Sequence, residues 1–528
     1  MGTHVFRRAL VVMCAAALAL AFAGTAGAAK YVVLYAQTAV PADSARTIQN
    51  AGGTVVASYG QIGVVIAEST SLTFRERLLR DMRIENVSST AGFGVQIGPV
   101  EDASHDGDGG PGDLPNAPAA DADTFSGLQW DMRQIHTPEA HAITGGSPAV
   151  VVGDIDTGLD KDHPDLVANI DFSRSVSCES GAPNQSPAAW DDRNGHGTHT
   201  AGTVAAASNG IGIVGVAPNV KVAGIKSSTD EGFFFPEMVI CSFMWAGTHQ
   251  IDVTNNSYFA DPFLYNCRND PAQRAIWKAE MRAIMFAQRN GVTVIASQGN
   301  DSDDRAHPAF DVTSPDFPPG AEEEREITNA CVVIPDEIPG VVGVTAVGNA
   351  RQTDGDDDPN DYQKSFYSSY GVGVAEVTAP GGDSRFVTAE APNGRVLSTW
   401  PQEIPCARQE VDPGPPVAST YCYLQGTSMA APHAVGTAAL IISRFGNLNS
   451  PQNGKMRPSA VAAYLQQTAD PQPCPTVIPP PPLYPTRPAP AGEEGALQEC
   501  QGGPGYTSWY GSGQVNALRA VLHDSGGQ

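Results

Sequence analysis

The sequence predicts an α/β fold, with a mostly parallel central sheet covered by helices on both faces and a small α+β domain in front of it. Three observations carry this. From about residue 125 onward, short apolar segments rich in Val and Ile alternate with longer helical stretches, the pattern of repeated strand–helix–strand units. Residues 30–95 hold a separate run of strand and helix signals. Between the two, residues 96–124 are dominated by Gly, Asp, Ala and Pro. Such a composition buries too little apolar surface to order itself, so it predicts a flexible, protease-accessible linker.

Residues 1–29 are a separate object. Arg7-Arg8 is a basic start, residues 9–23 are a short apolar run, and Ala26-Gly-Ala28 supplies small residues at a cleavage spacing. This predicts a removable secretory signal, too short and wrongly flanked for a membrane span. Cys14 sits inside the apolar run after the bulky Met13, which argues against a lipoprotein cysteine. No later stretch reaches the ~18 apolar residues that a bilayer requires. The formal net charge is -26. That argues against nucleic acid or an anionic membrane surface as a partner. The expected product is a soluble, mutually repelling monomer, secreted to the cell exterior or the periplasm.

In the small domain, segments 31–35, 54–56, 64–66 and 85–87 read as strands. Segments 44–50 and 71–82 read as helices, the second amphipathic through Leu72, Arg75, Leu78 and Leu79. In the large domain, strands are expected at 149–152, 220–225, 252–254, 292–296 and 341–346, and helices at 197–207, 237–248 and 274–288. Sites in such sheets collect at the C-terminal ends of the strands. A buried helix is expected to begin at about Ser428, with Pro432 in its first turn, where a missing N–H has no partner to lose. Residues 470–503, with prolines at 479–482, interrupt the pattern as an extended loop. Segment 510–518 returns to a turn and a short apolar element. The acidic run Asp354-Gly-Asp-Asp-Asp358 reads as solvated surface.

Eight of the nine cysteines lie beyond the signal: Cys178, Cys241, Cys267, Cys331, Cys406, Cys422, Cys474 and Cys500. An even number in a secreted chain suggests up to four disulfides, with about 105 connectivities open. Proximity in sequence favours Cys406–Cys422 and Cys474–Cys500. No Cys-x-x-Cys pair supports a zinc or redox site.

Three segments carry chemistry. Strand 150–156 ends in Asp156, followed by Thr157-Gly158. Asn194-Gly-His-Gly-Thr-His-Thr200 is a glycine-rich turn with His196 at the start of a small-residue helix. Gly426-Thr-Ser-Met-Ala-Ala-Pro-His433 places Ser428 at a helix start, where the dipole and free N–H groups favour developing negative charge. A serine hydroxyl needs a base, and that base needs a carboxylate to fix its tautomer and stabilise its cation. Asp156, His196 and Ser428 supply one of each. His199 is the rival histidine, but its i+3 spacing from His196 and the lack of clustered carboxylates argue against a zinc pair.

The motifs Asp156-Thr-Gly158, His196-Gly-Thr-His199 and Gly426-Thr-Ser-Met-Ala-Ala-Pro432, in that chain order, resemble those of the subtilisin-like serine proteases, or subtilases. The resemblance runs from about Trp130 to the C-terminus. It implies the subtilisin-like three-layer fold over 125–528 and a secreted serine endopeptidase acting on proteins and peptides. It also implies that residues 30–95 are a ferredoxin-like propeptide, an inhibitor and folding chaperone removed by the enzyme itself. Asn300, in Ser297-Gln-Gly-Asn300, would donate its amide to the oxyanion beside the backbone N–H of Ser428; the rival amide is Asn256. Ser257-Tyr258-Phe259 matches the family's substrate-binding strand, although the family commonly has Gly at the Phe259 position. Ala296, Ser297 and Gly299 would complete the S1 walls. A structural Ca²⁺ is implied by Asp165 and the loop 207–213, with side chains from Asp165 and Asn209 and carbonyls from Ala207, Ile211 and Ile213. The competing function is a non-catalytic secreted binding protein on the same scaffold; an esterase using the same triad is a third reading.

Overall fold

The computed structural model describes residues 28–90, 96, 123–315, 320, 323–352, 361–387, 391, 393–414, 417–450, 454–478, 481 and 483–523. Nearly all of the expected signal and linker, the acidic run at 354–358 and prolines 479, 480 and 482 lie outside the described residues.

The small unit contains β1 (Ala29–Tyr35), α1 (Ser44–Ala51), β2 (Gly53–Tyr59), β3 (Val64–Ser69), α2 (Phe74–Leu78) and β4 (Ile84–Ser89), in the expected order. Its sheet is antiparallel throughout, in the order β2-β3-β1-β4. Alternation along β1 divides its side chains between two cores. Val33 and Tyr35 pack with Ile48, Phe74 and Leu78 of the unit's own helices. Val32 and Leu34 face the other way and join a core shared with the large unit. Helix α2 is shorter than the expected 71–82. The Ser71 N–H is taken by Ser69 Oγ at 3.0 Å in a turn, so Leu72 stands exposed and only Phe74 and Leu78, one helical turn apart, are buried.

The large unit is built on β5 (Val151–Asp156), β6 (Val176–Ser177), α3 (His196–Ala205), β7 (Lys221–Lys226), α4 (Pro236–Ala246), β8 (Val253–Asn256), α5 (Pro271–Arg289), β9 (Thr293–Ser297), β10 (Val342–Arg351), β11 (Tyr362–Lys364) and β12 (Val377–Pro380). These strands form one eight-stranded sheet in the order β11-β10-β9-β8-β5-β7-β6, with β12 also on β10. Every pairing is parallel except β10 with β11. Both faces are covered, which explains the near-continuous apolar runs. Val152 of β5 packs on the face that carries α3 and the later helix α6 (Thr427–Phe445), while Val151 and Ile155 pack toward α4 and α5. Even-numbered positions of β5 therefore look toward α3 and α6. The chain leaves β5 for β6 and β7 on one side and returns to β8 on the other. This reversal of strand order opens a crevice at the C-terminal end of β5.

One expectation is corrected at α6. The helix begins at Thr427, so Pro432 is its sixth residue and lies beyond the first turn. The helix tolerates it because the carbonyl that loses a partner, that of Ser428 four residues back, accepts from Ser257 Oγ at 3.1 Å instead. A further sheet had no counterpart in the sequence reading: β13 (Val396–Trp400), β14 (Gln409–Asp412) and β15 (Ser419–Leu424) pair antiparallel in the order β13-β15-β14. Four disulfides join Cys178–Cys241, Cys267–Cys331, Cys406–Cys422 and Cys474–Cys500. The two local pairs are those expected.

Candidate active site

Asp156 is the last residue of β5 and His196 the first of α3, and both are buried. The loop before α3 is organised by Asp192. Its Oδ1 accepts from the N–H groups of Asn194 (2.9 Å) and Gly195 (3.0 Å) and from Thr157 Oγ1 (3.0 Å). Its Oδ2 accepts from the Thr198 N–H (3.0 Å) and Oγ1 (2.7 Å). Thr157 Oγ1 in turn accepts from the Gly197 N–H at 2.9 Å. Gly197 is required here: a Cβ would lie 2.2 Å from the Gly158 carbonyl oxygen. The start of α3 is thereby pressed against the end of β5, and His196 Nδ1 meets Asp156 Oδ1 at 2.8 Å. Asp156 Oδ1 also accepts from the Thr157 N–H at 2.7 Å.

With Nδ1–H committed to a carboxylate, Nε2 carries the lone pair. Nε2 is buried and, among the described residues, has no hydrogen-bond partner, as a base awaiting a proton should be. Burial alone would depress this imidazole, but the charge and hydrogen bond of Asp156 outweigh it, with a smaller push from Asp192, and the net direction is upward from the ordinary histidine value. The rival His199 is different. It is buried, bonds the Cys422 carbonyl through Nε2 at 3.0 Å, and is pulled down to about 3 by burial and by His196. It is a neutral packing histidine.

Ser428 is the second residue of α6, which packs on α3. Its Oγ donates to the Ser257 carbonyl at 3.3 Å, and among the described residues its backbone N–H makes no hydrogen bond outside the helix. Asn300 follows β9. Its Oδ1 accepts from the Thr427 N–H and Thr427 Oγ1, both at 2.9 Å. A backbone N–H can only donate, so these bonds fix which end of the amide is oxygen and leave Nδ2 as the uncommitted donor. The rival Asn256 is fully buried, and its Nδ2 ties Thr254 Oγ1 (3.0 Å) and the Ile295 carbonyl (2.9 Å). Its amide is used to join β8 to β9.

The other expected site residues separate into groups. Ser257 joins Ser428 through reciprocal hydrogen bonds. Tyr258 points into the core, 2% exposed, stacked on Phe234 at 4.3 Å, with its hydroxyl on Asn256 Oδ1. Phe259 is half-buried against the cluster of Leu264, Tyr265 and Cys331. Ala296 and Ser297 end β9, and the Gly299 N–H donates to Thr427 Oγ1 at 3.1 Å. Gly299 has φ +96°, and a Cβ there would lie 2.3 Å from Arg305 Nη2. Asp192 lay outside every motif, and Thr427, although inside the Gly426–Pro432 motif, had no role assigned to it. Their signal is a polar residue shortly before each functional side chain, Asp192 four residues ahead of His196 and Thr427 directly ahead of Ser428.

The loop at 207–213 brings Asn209 to Asp165, with Asn209 Nδ2 donating to Asp165 Oδ1 at 3.1 Å. Asp165 Oδ2 accepts from the Ile213 N–H (3.0 Å) and Tyr421 Oη (3.1 Å). Asp123 Oδ2 accepts from the Asn209 N–H at 3.0 Å. Asp165 is fully buried, and burial, reinforced by Asp123, pushes its carboxyl up to about 8. A buried acid with no cationic partner among the described residues and a second carboxylate nearby suits a hard cation. Among the described residues no three His, Cys, Asp or Glu side chains come together to hold a metal, so such a cation would draw mainly on carbonyls.

The "Subtilase family" model matches residues 147–512. Fervidolysin of Fervidobacterium pennivorans is 28% identical over 343 residues, covering 63% of this chain and 40% of its own length. Subtilisin BL of Lederbergia lenta is 29% identical over 316 residues, covering 60% of this chain and 84% of its own. The crystal structure of the epidermin leader peptide processing serine protease EpiP from Staphylococcus aureus overlays with a TM-score of 0.63 at 19% identity, covering 95% of this chain and all of that one. The chain thus spans less than half the length of fervidolysin.

Proposed function

The chain belongs to the subtilase family, and from that premise we propose that it is a secreted serine endopeptidase, made as a precursor that processes itself. The observation that carries the reading is His196, held through Nδ1 by Asp156 at 2.8 Å with Nε2 bare. His196 takes the proton of Ser428, which attacks the scissile carbonyl. Asp156 orients the imidazole and stabilises its cation. Asn300 Nδ2 and the Ser428 N–H receive the oxyanion. His196 returns the proton to the leaving amine, and water then hydrolyses the acyl-enzyme by the same route. The reading is tested by incubating the purified full chain with casein. New peptides with free N-termini support it; intact casein under all conditions contradicts it.

For Asn300, the substitution Asn300→Ala is expected to lower kcat about 10²- to 10³-fold with little change in KM, the usual loss for one oxyanion donor. A change confined to KM would assign Asn300 to substrate binding.

Residues 30–95 act in this proposal as an intramolecular inhibitor, with cleavage in the linker. The supporting contacts are direct. Arg282 of α5 donates to the carbonyls of Tyr35 (2.9 Å) and Ile62 (3.1 Å), Ser88 Oγ donates to Ala272 O at 2.8 Å, and Lys278 pairs with Glu85 at 2.7 Å. Beyond the unit, Gln96 makes an antiparallel bridge to Phe233. The signal at 1–29 directs secretion; among the described residues no helix is long and apolar enough to cross a membrane.

A structural Ca²⁺ fits the loop at 207–213. Asp165 and Asn209, with the carbonyls of Ala207, Ile211 and Ile213, would hold it. It would neutralise the buried Asp165 and clamp the loop after α3. Saturating Ca²⁺ is expected to raise Tm relative to EDTA, by about 2.7 kcal/mol of stability at a hundredfold excess over Kd. Identical melting in Ca²⁺ and EDTA contradicts the assignment.

A further inference from the structure

Two residues before Asp156 stands a second carboxyl, Asp154, which the mechanism above does not use. Strand alternation puts both on the face toward α3 and α6, and both are fully buried. Among the described residues no cation pairs with Asp154. Thr200 Oγ1 donates to its Oδ2 at 3.0 Å, and Asn255 Nδ2 lies 2.9 Å from its Oδ1. Thr200 is one turn along α3 from His196, and Asn255 is two residues before Ser257. Asp154 therefore touches both elements that flank the nucleophile.

The row continues to Ser428. Ser257 Oγ lies 3.3 Å from Asn255 Oδ1 and 3.1 Å from the Ser428 carbonyl, the group that Pro432 deprives of its helical partner. A serine hydroxyl has one proton and can serve only one of these acceptors at a time. A primary amide can be turned end for end without changing shape. With Asp154 ionised, Asn255 must offer it the NH₂ end. Its oxygen then competes with the Ser428 carbonyl for the Ser257 proton. With Asp154 neutral, the amide turns over and every group has a partner. Asp154 O–H donates to the Asn255 oxygen, the Asn255 NH₂ donates to Ser257 Oγ, and Ser257 Oγ–H donates to the Ser428 carbonyl.

We propose that Asp154 is a positioning residue, a neutral acid that acts through Asn255 and Ser257 to hold the Ser428 peptide group. This rests on the reading of Ser428 as the nucleophile. The surroundings favour the neutral form. Burial first, and then the charge of Asp156 with a smaller share from Asp192, raises the Asp154 carboxyl well above the carboxylate range. Among the described residues its direct contacts from other elements are uncharged, Thr200 from α3, Asn255 from β8 and Gly224 opposite it on β7; α3 also carries His196, held by Asp156, and the neutral His199. Helix α6 carries two ionisable side chains, His433, bonded to Asp131 at 2.9 Å, and Arg444 in its last turn.

The test uses the active, processed enzyme and measures kcat and KM on a chromogenic peptide from pH 6 to 10. Rates are counted per site labelled by a fluorophosphonate. Asp154→Asn keeps a donor toward Asn255 and an acceptor for Thr200 at every pH. Asp154→Val keeps neither. The expected result is a kcat loss of about 30-fold or more for Asp154→Val at unchanged KM, and a loss under about threefold for Asp154→Asn. Asp154→Asn should keep this small loss at every pH where the wild type is active, since the donor and acceptor it offers do not titrate. Equal kcat in Asp154→Val and wild type, or equal damage in both variants, overturns the proposal. If Asp154→Val does not fold, Ser257→Ala decides, since it removes the hydroxyl that joins Asn255 to the Ser428 carbonyl: a kcat equal to wild type overturns the proposal, and a kcat loss at unchanged KM supports it. A wild-type enzyme that neither labels nor hydrolyses sinks the peptidase reading itself, which separates the two failures.

Discussion

Ser428→Ala is expected to lower kcat about 10⁶-fold, the scale of loss when the nucleophile of a serine triad is removed. The effect is large because nothing else at the site can replace it. Ser257 Oγ, the adjacent hydroxyl, is committed to the row between Asn255 and the Ser428 carbonyl. Thr427 Oγ1 is committed to Asn300 Oδ1. Folding should be nearly unaffected. The Ser428 hydroxyl makes one hydrogen bond, 3.3 Å long, to the Ser257 carbonyl, and a bond of that kind contributes about 1 kcal/mol or less. The variant should therefore purify as a folded chain with residues 30–95 still covalently attached. Melting within a few degrees of wild type, with casein left intact, is the expected pair of results. Residual hydrolysis within tenfold of wild type would show that Ser428 is not the nucleophile.

Asp156→Asn is expected to lower kcat about 10⁴-fold. An asparagine can offer His196 Nδ1 an N–H donor, which favours the tautomer with its proton on Nε2, where the base must be bare. The pH dependence gives a second readout. In the wild type the His196 value is raised by Asp156 against the lowering effect of burial. Only the neutral imidazole acts as a base, so kcat/KM should rise with pH through the raised value, above the ordinary ~6.5. Removing the Asp156 charge leaves burial as the larger influence, so the acid limb of the residual activity should move down. An acid limb that stays in place on Asp156→Asn would contradict the coupling.

The sheet was legible because parallel strands covered on both faces are written as uninterrupted apolar runs. The strands expected at 220–225, 252–254, 292–296 and 341–346 appear as β7, β8, β9 and β10, shifted by one residue at the start. The antiparallel sheet of β13, β14 and β15 was not legible, because Val396–Trp400 and Ser419–Leu424 mix Ser, Thr, Cys and aromatics. Their hydroxyls serve as partners across the fold, as when Ser398 and Thr399 donate to the carbonyls of His199 and Thr198 at 2.7 Å. Asp156 and His196 were readable because each sits at the end of an element, with Gly158 two residues after the one and Gly195 and Gly197 on either side of the other. Asp154 was not, because a carboxylate inside an apolar strand is recognised only when Thr200 and Asn255 are seen to meet it. Pro432 was misplaced by the same limitation. The sequence pattern put it in the first turn, whereas the hydroxyl of Ser257, 171 residues upstream of the Ser428 carbonyl it bonds, makes a mid-helix proline tolerable.

The central claim is that Ser428 is a hydroxyl activated by His196 and Asp156. The most direct measurement treats the folded, purified chain with a fluorophosphonate and maps the adduct by peptide mass. The account predicts one adduct, on Ser428, abolished by His196→Ala while the fold is retained. No adduct, or one on another serine, would contradict it.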